Sequence, residues 1–349
     1  MLAAVLHDVH DLRLEDVADP VAGPGEVVIA IAHNGLCGSD LKLFEMGLRA
    51  VDQPHPLTRY CGPQILGHEF SGIIAEVGAG VTSLAAGDRV CVQPDYHCGV
   101  CAPCQAGFTH LCQIITFHGV ISAGGGLSQR TAIPAPMVHR LPDSLTMQQG
   151  ALIEPMAVSY HAVDRAQLEL ATLAVVIGAG PIGLGVVLNL RARGVENIVV
   201  VEPSAARRAV VETFGAVAID PADTNDHLRK RSVRGGADVA FDCAGTSSTF
   251  GATLACLRPR GQAVIVAGSS KYPLQTTAHL LQHTEISITG SVAFVPSDFD
   301  AVMGLMAAGA YPTAGWVEHV PLAQVLTEGF QPLLAGRKTK VLIDLPTKR

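Results

Sequence analysis

The chain has 349 residues. A single hydrophobic core does not ordinarily accommodate a chain of this length, so two domains are expected. A hydrophobic content of 48% indicates a fully folded chain and excludes extensive disorder. The formal net charge of −7 provides no basic surface for nucleic acid, so that class of partner is excluded as well.

Short apolar runs bounded by turn residues dominate the chain up to about residue 150. They lie at 27–32, 71–77 and 88–94, and glycines and prolines separate them. This spacing predicts small antiparallel sheets or a partly open barrel. A cysteine-rich loop interrupts the β-rich region.

The cysteine-rich loop contains Cys98, Cys101, Cys104 and Cys112 in a C-x2-C-x2-C-x7-C pattern. Four thiolates this close can fill every coordination position of a tetrahedral Zn²⁺ ion, which would make the site structural. A disulfide scaffold is typical of small secreted chains and does not suit this one. A Cys₄ iron–sulfur site would use the same thiolates, and only the surrounding sequence favours zinc.

Two segments bear on location. The opening residues reach Asp8 too early to form the apolar region of a secretory signal. The stretch from Leu170 to Leu190 has no charged residue and is long enough to span a bilayer. Its central glycines and Pro181 favour a buried strand, a glycine turn and a buried helix instead. We therefore expect a soluble, cytoplasmic protein with no membrane partner.

From about Thr172 the apolar pattern changes to alternating strands and helices. Strand-like runs lie at 173–177, 197–201, 238–242, 263–268 and 286–290. A helix-like run reaches Arg193 after the first of them, and another ends at Gly215, a residue suited to terminate a helix. This alternation predicts a doubly wound parallel sheet.

A glycine motif follows the first of these strands and opens the helix. It reads Gly178-Ala179-Gly180-Pro181-Ile182-Gly183, a G-x-G-x-x-G pattern. Glycines at these positions allow a tight turn and let a pyrophosphate approach backbone N–H groups at a helix N-terminus. The strand–glycine–helix context predicts a dinucleotide site, whereas a structural interpretation would assign the glycines to packing alone.

Glu202 ends the second strand of this region, where a carboxylate can accept hydrogen bonds from the adenosine ribose. It would repel a 2′-phosphate, so NAD is expected rather than NADP. Arg207 and Arg208 follow closely and could attract a phosphate. We keep Arg207 as a candidate cofactor contact, although the solvated face of a helix explains both arginines more simply.

A second set of metal-ligand residue types lies outside the cysteine loop. Cys37, Ser39 and Asp40 form one group, Gly67, His68 and Glu69 form another, and Glu154 stands alone before a proline. Taken singly, the cysteine could be a buried hydrophobic residue, the histidine a surface residue and Glu69 a helix cap.

Together, these motifs resemble the zinc-dependent medium-chain alcohol dehydrogenase family along nearly the whole chain. The matching segments are CGSD at 37–40, GHEFSG at 67–72, GDRV at 87–90, the four-cysteine loop, EP at 154–155 and GAGPIG at 178–183. Segments 54–72, 115–129 and 150–163 are most similar to the butanediol and polyol dehydrogenase branch, and particularly to (R,R)-2,3-butanediol dehydrogenases.

The resemblance implies a fold and its domain limits. We expect a GroES-like, β-rich catalytic domain at 1–155, with the structural zinc loop, and a Rossmann cofactor domain at 156–295. Residues 296–349 would return to the catalytic domain. A homodimer or homotetramer is the expected assembly.

The resemblance also implies roles for the second set. Cys37 and His68 would be fixed ligands of a catalytic zinc, and Glu69 and Glu154 would alternate as a ligand or hydrogen-bond a metal-bound water. Ser39 would first accept the alcohol proton, and Asp40 would orient the imidazole. Many relatives place a proton-relaying histidine where this chain has Lys42, so the route of the proton to solvent is open.

The implied activity is hydride transfer between NAD and a small secondary alcohol, with two Zn²⁺ ions per chain. A vicinal diol or its α-hydroxyketone, such as 2,3-butanediol and acetoin, is the preferred small-molecule substrate, with sorbitol-type polyols and L-threonine as alternatives. A non-catalytic NAD-binding structural or regulatory protein is the alternative of another class. Such relatives tend to lose catalytic ligands, whereas this chain has all of the expected ones: Cys37, Ser39, Asp40, His68, Glu69 and Glu154.

Overall fold

Two units make up the computed structural model, which describes residues 1–47, 53–168, 173–224, 226, 228, 235–268 and 275–345. The first unit contains Met1–Glu154, Val295–Ala308 and Thr313–Arg349, and the second contains Pro155–Phe294 and Gly309–Pro312. The sequence-based division kept 296–349 in one piece, whereas Gly309–Pro312 belong to the second unit. The functional limits of the domains stay a prediction.

In chain order, the strands within the described ranges are β1 (Leu2–Asp8), β2 (Asp11–Asp16), β3 (Glu26–Gly35), β4 (Gln64–Ile65), β5 (Glu69–Val77), β6 (Arg89–Val92), β7 (Asp95–Tyr96), β8 (Thr116–Phe117), β9 (Arg130–Pro134), β10 (Val138–Arg140), β11 (Ala174–Ile177), β12 (Ile198–Val201), β13 (Val217–Ile219), β14 (Ala237–Asp242), β15 (Leu257–Ile265), β16 (Ser287–Gly290), β17 (Val317–Pro321) and β18 (Lys340–Asp344).

Fewer α-helices than strands lie among the described residues. They are α1 (Gly38–Met46), α2 (Ala102–Gln105), α3 (Met147–Gly150), α4 (Ile153–Asp164), α5 (Pro181–Ala192), α6 (Ala205–Thr213), α7 (Ser247–Ala255), α8 (Ala278–Thr284), α9 (Pro296–Ala307) and α10 (Gln331–Leu334). Single 3₁₀ turns lie at Thr109–Leu111, Ala135–Met137, Pro221–Asp223 and Leu322–Gln324, and a π-helical turn lies at Val325–Phe330.

The first unit is organised around a seven-stranded sheet. Its order is β10-β6-β5-β3-β18-β17, and β9 pairs with β3 outside this path. All of its pairs are antiparallel except β17 with β18, which run parallel. The side chains of Val27, Ile29 and Ile31 alternate along β3 into the core, as expected for a half-buried strand. A smaller sheet, β2-β1-β4, and the β7–β8 ribbon complete the β-rich part.

The second unit contains a six-stranded parallel sheet in the order β13-β12-β11-β14-β15-β16. Strands β11, β12 and β14 are buried along their whole length, which is typical of a parallel sheet covered on both faces. The strand order reverses between β11 and β14, and such a switch point leaves a crevice at the carboxyl ends of the strands. The predicted fold class, a β-rich GroES-like domain with a doubly wound sheet, is confirmed.

Among the described residues, no helix has the length and apolar character needed to cross a membrane. Part of the uncharged stretch from Leu170 to Leu190 lies outside the described residues, and the remainder includes β11, the glycine turn and the start of α5.

Candidate active site

The first predicted ligand group lies where β3 ends and α1 begins. Cys37 precedes the first helical turn with extended backbone angles (φ −100°, ψ 156°). Its backbone N–H donates to the buried Asp40 carboxylate at 2.9 Å, so Asp40 satisfies an amide at the helix start. Ser39 is half-buried, and Lys42 on the same helix is exposed.

The second group lies at the start of β5, where His68 precedes the strand and Glu69 is its first residue. Glu69 lies opposite Gly35 in the β3–β5 ladder. A Cβ on Gly35 would lie 2.1 Å from Glu69 Oε2, so a glycine is needed for the carboxylate to lie against the β3 backbone. The pairing of β3 with β5 therefore brings the two groups together.

Three of the four predicted catalytic-zinc ligands converge. Cys37, His68 and Glu69 each offer a ligand atom, and these atoms lie within 4.8 Å of one another. His68 is 5% exposed and Glu69 is 1% exposed. Glu154, in the first turn of α4, is also buried and interacts electrostatically with all three residues, but it is not a member of this cluster.

Burial governs protonation in this cluster. It raises the pKa of the Cys37 thiol to about 12, and the nearby Glu69 carboxylate adds to the effect. Burial likewise raises the pKa of Asp40, and it raises the pKa of Glu154 well above the ordinary value. Because a metal binds the thiolate form, a cation at this cluster would have to displace the Cys37 proton.

The imidazole of His68 is held between a hydroxyl and a carboxylate. Ser39 Oγ lies 3.2 Å from His68 Nε2, and Asp40 Oδ1 lies 3.6 Å from His68 Nδ1. The Nδ1 and Oδ1 atoms are buried without a hydrogen-bond partner, an unusual state for buried polar atoms. Metal-bound imidazoles commonly face a carboxylate in this way. With one thiolate, one imidazole and one carboxylate, the donor set fits Zn²⁺.

Sequence reasoning missed Lys340, the first residue of β18. Its ammonium forms an ion pair with the Glu69 carboxylate and also donates to the Leu36 carbonyl at 3.0 Å. Lys340 is 1% exposed, so its charge is almost entirely removed from water. The contact joins residues 271 positions apart, and no local motif reveals it. A lysine directly before the apolar run VLI was the one signal in the sequence.

The four cysteines of the loop between β7 and β8 form a separate cluster. Their sulfur atoms lie within 4.8 Å of one another, and all four thiols are free. The Cys98 and Cys104 sulfurs are 4.0 Å apart, about twice the length of a disulfide bond. The backbone N–H of Cys101 points at Cys98 Sγ and that of Cys98 points at Cys112 Sγ, each at 3.3 Å. This geometry fits a tetrahedral structural Zn²⁺.

The glycine motif forms the turn between β11 and α5. A Cβ on Gly183 would lie 1.9 Å from the Gly178 carbonyl oxygen, so glycine is required where the helix approaches the turn. Among the described residues, and apart from its own chain neighbours, Gly180 has no atom within 4 Å of its Cβ position, so these residues leave open space beside the loop. Pro181 and Ile182 begin the first helical turn. A pyrophosphate can reach the helix N-terminus from this side.

Glu202 follows β12 and lies against the glycine turn. Its carboxylate accepts hydrogen bonds from the Ala179 amide at 2.8 Å and the Ser204 amide at 2.9 Å. This fixes a negative charge beside the loop, where a ribose hydroxyl would lie. Arg208 donates to the Glu202 carbonyl at 2.7 Å and is thereby held to the backbone, whereas Arg207 is half-buried on α6.

A thiol, a buried imidazole and a buried carboxylate that cluster in a β-rich unit, together with a glycine loop in a doubly wound unit, are typical of zinc-dependent dehydrogenases. Two family models match the chain: "Alcohol dehydrogenase GroES-like domain" at residues 23–143 and "Zinc-binding dehydrogenase" at residues 181–308.

Individual proteins match over almost the whole length. The chain is 34% identical to (R,R)-butanediol dehydrogenase of Bacillus subtilis, covering 98% of this chain and 99% of that protein. It is 31% identical to Probable D-xylulose reductase A of Aspergillus fumigatus, covering 98% and 96%. The crystal structure of 2R,3R-butanediol dehydrogenase from Bacillus subtilis superposes with a TM-score of 0.91 at 33% identity, covering 99% of each chain. The chain therefore belongs to the zinc-binding alcohol dehydrogenase family, as its motifs predicted.

Proposed function

We propose that this protein is a zinc-dependent oxidoreductase that transfers hydride between NAD and a vicinal diol or its α-hydroxyketone. The observation that carries the proposal is the buried Cys37–His68–Glu69 cluster, with its ligand atoms within 4.8 Å of one another. Its position beside Ser39 adds a hydroxyl that can move a proton. A non-catalytic relative would have no need to keep this set complete.

Each residue of the site would have its own role in the reaction. Cys37 and His68 hold the catalytic Zn²⁺, and Glu69 or Glu154 supplies a carboxylate to it. When bound, zinc would make the substrate hydroxyl more acidic, and NAD would supply the hydride acceptor. Ser39 takes the proton from the hydroxyl. Asp40 holds the His68 ring through Nδ1, as carboxylates beside metal-binding histidines commonly do.

The names of the relatives support a substrate with neighbouring oxygen atoms. One is a butanediol dehydrogenase and the other a D-xylulose reductase, so their substrates share this feature. We choose 2,3-butanediol and acetoin because the Bacillus subtilis protein matches this chain in both sequence and fold. The xylulose reductase supports a polyol such as sorbitol as the second candidate, and L-threonine is the third.

Initial rates of NAD⁺ reduction by the zinc-replete protein would test the substrate. The panel should contain the 2,3-butanediol isomers, sorbitol, L-threonine and 2-butanol. 2-Butanol keeps the reacting carbon but lacks the neighbouring hydroxyl, and a site built for that hydroxyl rejects such an analogue by a factor of up to about 10⁴. Equal kcat/KM for 2-butanol and every butanediol isomer would contradict the diol assignment and leave the dehydrogenase proposal intact.

For the cofactor we propose NAD, held by Gly178, Gly180, Pro181, Ile182 and Gly183 together with Glu202. A carboxylate facing a 2′-phosphate costs several kcal/mol, so NAD⁺ should be preferred by roughly 100-fold or more in kcat/KM. Replacing Glu202 with Gln should narrow this ratio, whereas Glu212→Gln, an exposed change on α6, should not. Equal use of NADP⁺ by the parent protein would assign the choice to Arg207 instead.

We also propose a cytoplasmic homodimer or homotetramer. Strand β16 is at one edge of the parallel sheet, and three of its four residues are exposed. Ile288 on this strand is 38% exposed and Val292 just beyond it is 55% exposed. Among the described residues β16 pairs on one side only, and such a partly apolar edge strand is suited to pairing with a second copy. Sedimentation should show that the parent protein forms a dimer or tetramer and that the lysine introduced in Ile288→Lys weakens this association. A monomeric parent protein would contradict the proposal.

A further inference from the structure

A second group of metal-ligand side chains crosses three neighbouring strands of the first unit. His33 on β3 lies opposite Asp344 on β18, and His319 is on β17, the next strand of the same sheet. Each of the three offers a ligand atom, and these atoms lie within 4.8 Å of one another. None of the three belongs to the cysteine loop or to the Cys37 cluster.

The strand register places this His33–His319–Asp344 cluster on the sheet face away from the core. Ile343, next to Asp344, is in the hydrophobic core, so Asp344 points to the opposite face. His319 lies opposite Leu342, which shares that face with Asp344. On β3 an irregularity between Ile31 and His33 changes the alternation, so His33 does not follow Ile31 into the core.

The ligand atoms are already close to the spacing that a metal requires. Asp344 Oδ1 lies 2.9 Å from His33 Nδ1 and 2.8 Å from His319 Nδ1, and the two rings are edge to face at 5.6 Å. Ligands about 2.1 Å from a metal are roughly 3.0–3.4 Å apart in octahedral or tetrahedral geometry. A few tenths of an ångström of movement of the Asp344 carboxylate away from each imidazole would bring these two separations into that range, and the third separation is within 4.8 Å.

Partial exposure leaves room for water to complete the coordination. The side chains of His33, His319 and Asp344 are 19%, 33% and 43% exposed. Two imidazoles and one carboxylate are a donor set for divalent ions such as Zn²⁺, Co²⁺ and Ni²⁺. We propose that the His33–His319–Asp344 cluster is a third metal site, which binds a divalent transition-metal ion and links β3, β18 and β17.

The test uses Co²⁺ as the probe on the full-length protein with zinc in the Cys37 and four-cysteine clusters. Dialysis first removes free metal and empties the partly exposed His33–His319–Asp344 cluster. Calorimetry and visible absorption should report one added Co²⁺ per chain. Its spectrum should lack the thiolate-to-cobalt charge-transfer bands that exchange into a cysteine site would produce. His319→Gln should weaken this binding by tenfold or more, the order of effect seen when a metal site loses a supporting group.

Matched variants separate this cluster from other surface histidines. His7 pairs with one carboxylate, that of Glu15, and His279 lies near His283 on α8 without belonging to a three-ligand group. His7→Gln and His279→Gln should leave Co²⁺ binding unchanged. Asp344→Asn should weaken it as His319→Gln does, and turnover of each variant confirms folding. No added Co²⁺ in the parent protein would overturn the proposal and leave a hydrogen-bonded cluster only. Co²⁺ binding by His319→Gln and Asp344→Asn that is as tight as binding by the parent protein would overturn it as well.

Discussion

Lys340 and Glu69 form a buried ion pair at the candidate site. Each is 1% exposed, and the Lys340 ammonium contacts the Glu69 carboxylate and the Leu36 carbonyl. A buried ion pair adds little net stability, because the attraction between the charges is offset by the cost of removing both from water. Loss of one partner, however, leaves an uncompensated buried charge. The ion pair therefore holds Glu69 next to Cys37 and His68, and loss of either partner would reduce the stability of the fold.

Replacing Lys340 with Met should lower the free energy of unfolding by about 3–5 kcal/mol, because Glu69 would remain buried and unpaired. Lys338→Met is the matched control, since that lysine pairs with two half-exposed glutamates and should cost about 1 kcal/mol or less. Urea unfolding measures both. The double variant with Glu69→Gln should recover much of the loss. If Lys340→Met were as stable as Lys338→Met, the Lys340–Glu69 ion pair would not contribute to the stability of the fold as proposed.

His118 gives the first unit a sensitivity to acid. Its ring is 1% exposed, with Tyr96 Oη 2.9 Å from Nδ1 and Thr131 Oγ1 2.7 Å from Nε2. Burial lowers the pKa of His118 from 6.5 to about 3. The unfolded chain therefore takes up this proton more readily, so the stabilisation is complete above pH 6.5 and is lost as the pH falls towards 3.

As the pH falls from 6 to 4, we expect protonation of His118 to lower the free energy of unfolding by up to about 1.4 kcal/mol per pH unit. His118→Gln should show a shallower decline of unfolding free energy over that interval than the parent protein. The exposed residue His283 serves as a control, because His283→Gln should keep the parental slope. Parallel slopes for the parent and His118→Gln would contradict the assignment.

At the scale of elements, the loop between β7 and β8 depends on its four cysteines. The helix and 3₁₀ turn within it have four and three residues, too short to be stable alone. Exposed apolar side chains, Val100 at 73% and Phe108 at 52%, show that little core supports the loop. A metal ion would therefore supply most of its folding energy.

Cys101→Ser should reduce the zinc content from two ions per chain to one and lower the thermal midpoint. The accompanying loss in the free energy of unfolding should not exceed the roughly 10–16 kcal/mol that structural zinc contributes in small domains. Cys61→Ser changes an exposed cysteine outside both clusters and should alter neither quantity. Elemental analysis and calorimetry provide the measurements. Unchanged zinc content in Cys101→Ser would contradict the structural site.

Elements with local signals were predictable from the sequence, and contacts between distant elements were not. The runs at 173–177 and 197–201 became β11 and β12, because apolar β-branched residues bounded by glycine and proline favour buried strands. Likewise, Gly215 follows the end of α6 with a positive φ of 75°. Strand β15, however, starts at Leu257, ahead of the predicted run at 263–268, because pairing with β14 extends it through Pro259.

At the scale of the whole molecule, topology decides which predicted residues meet. The motifs predicted Cys37, His68 and Glu69 as zinc ligands, and the pairing of β3 with β5 brings their ligand atoms within 4.8 Å of one another, while their binding of zinc stays a prediction. They could not show that β18, from the far end of the chain, inserts next to β3 and carries Lys340 to Glu69. Nor could they show that Glu154 stands outside the three-ligand cluster, because that separation depends on the start of α4.

The Cys37–His68–Glu69 cluster is central to the proposed activity, because it would bind the zinc that makes this protein a dehydrogenase. The most direct measurement compares zinc content and NAD⁺ reduction with 2,3-butanediol for the zinc-replete parent and His68→Ala, with His7→Ala as the control. After dialysis that empties the partly exposed His33–His319–Asp344 cluster, we predict two zinc ions in the parent and one in His68→Ala. Turnover of His68→Ala should fall at least about 1000-fold, since the metal supplies several kcal/mol. A His68→Ala protein that keeps two zinc ions and parental turnover would contradict this role for the cluster.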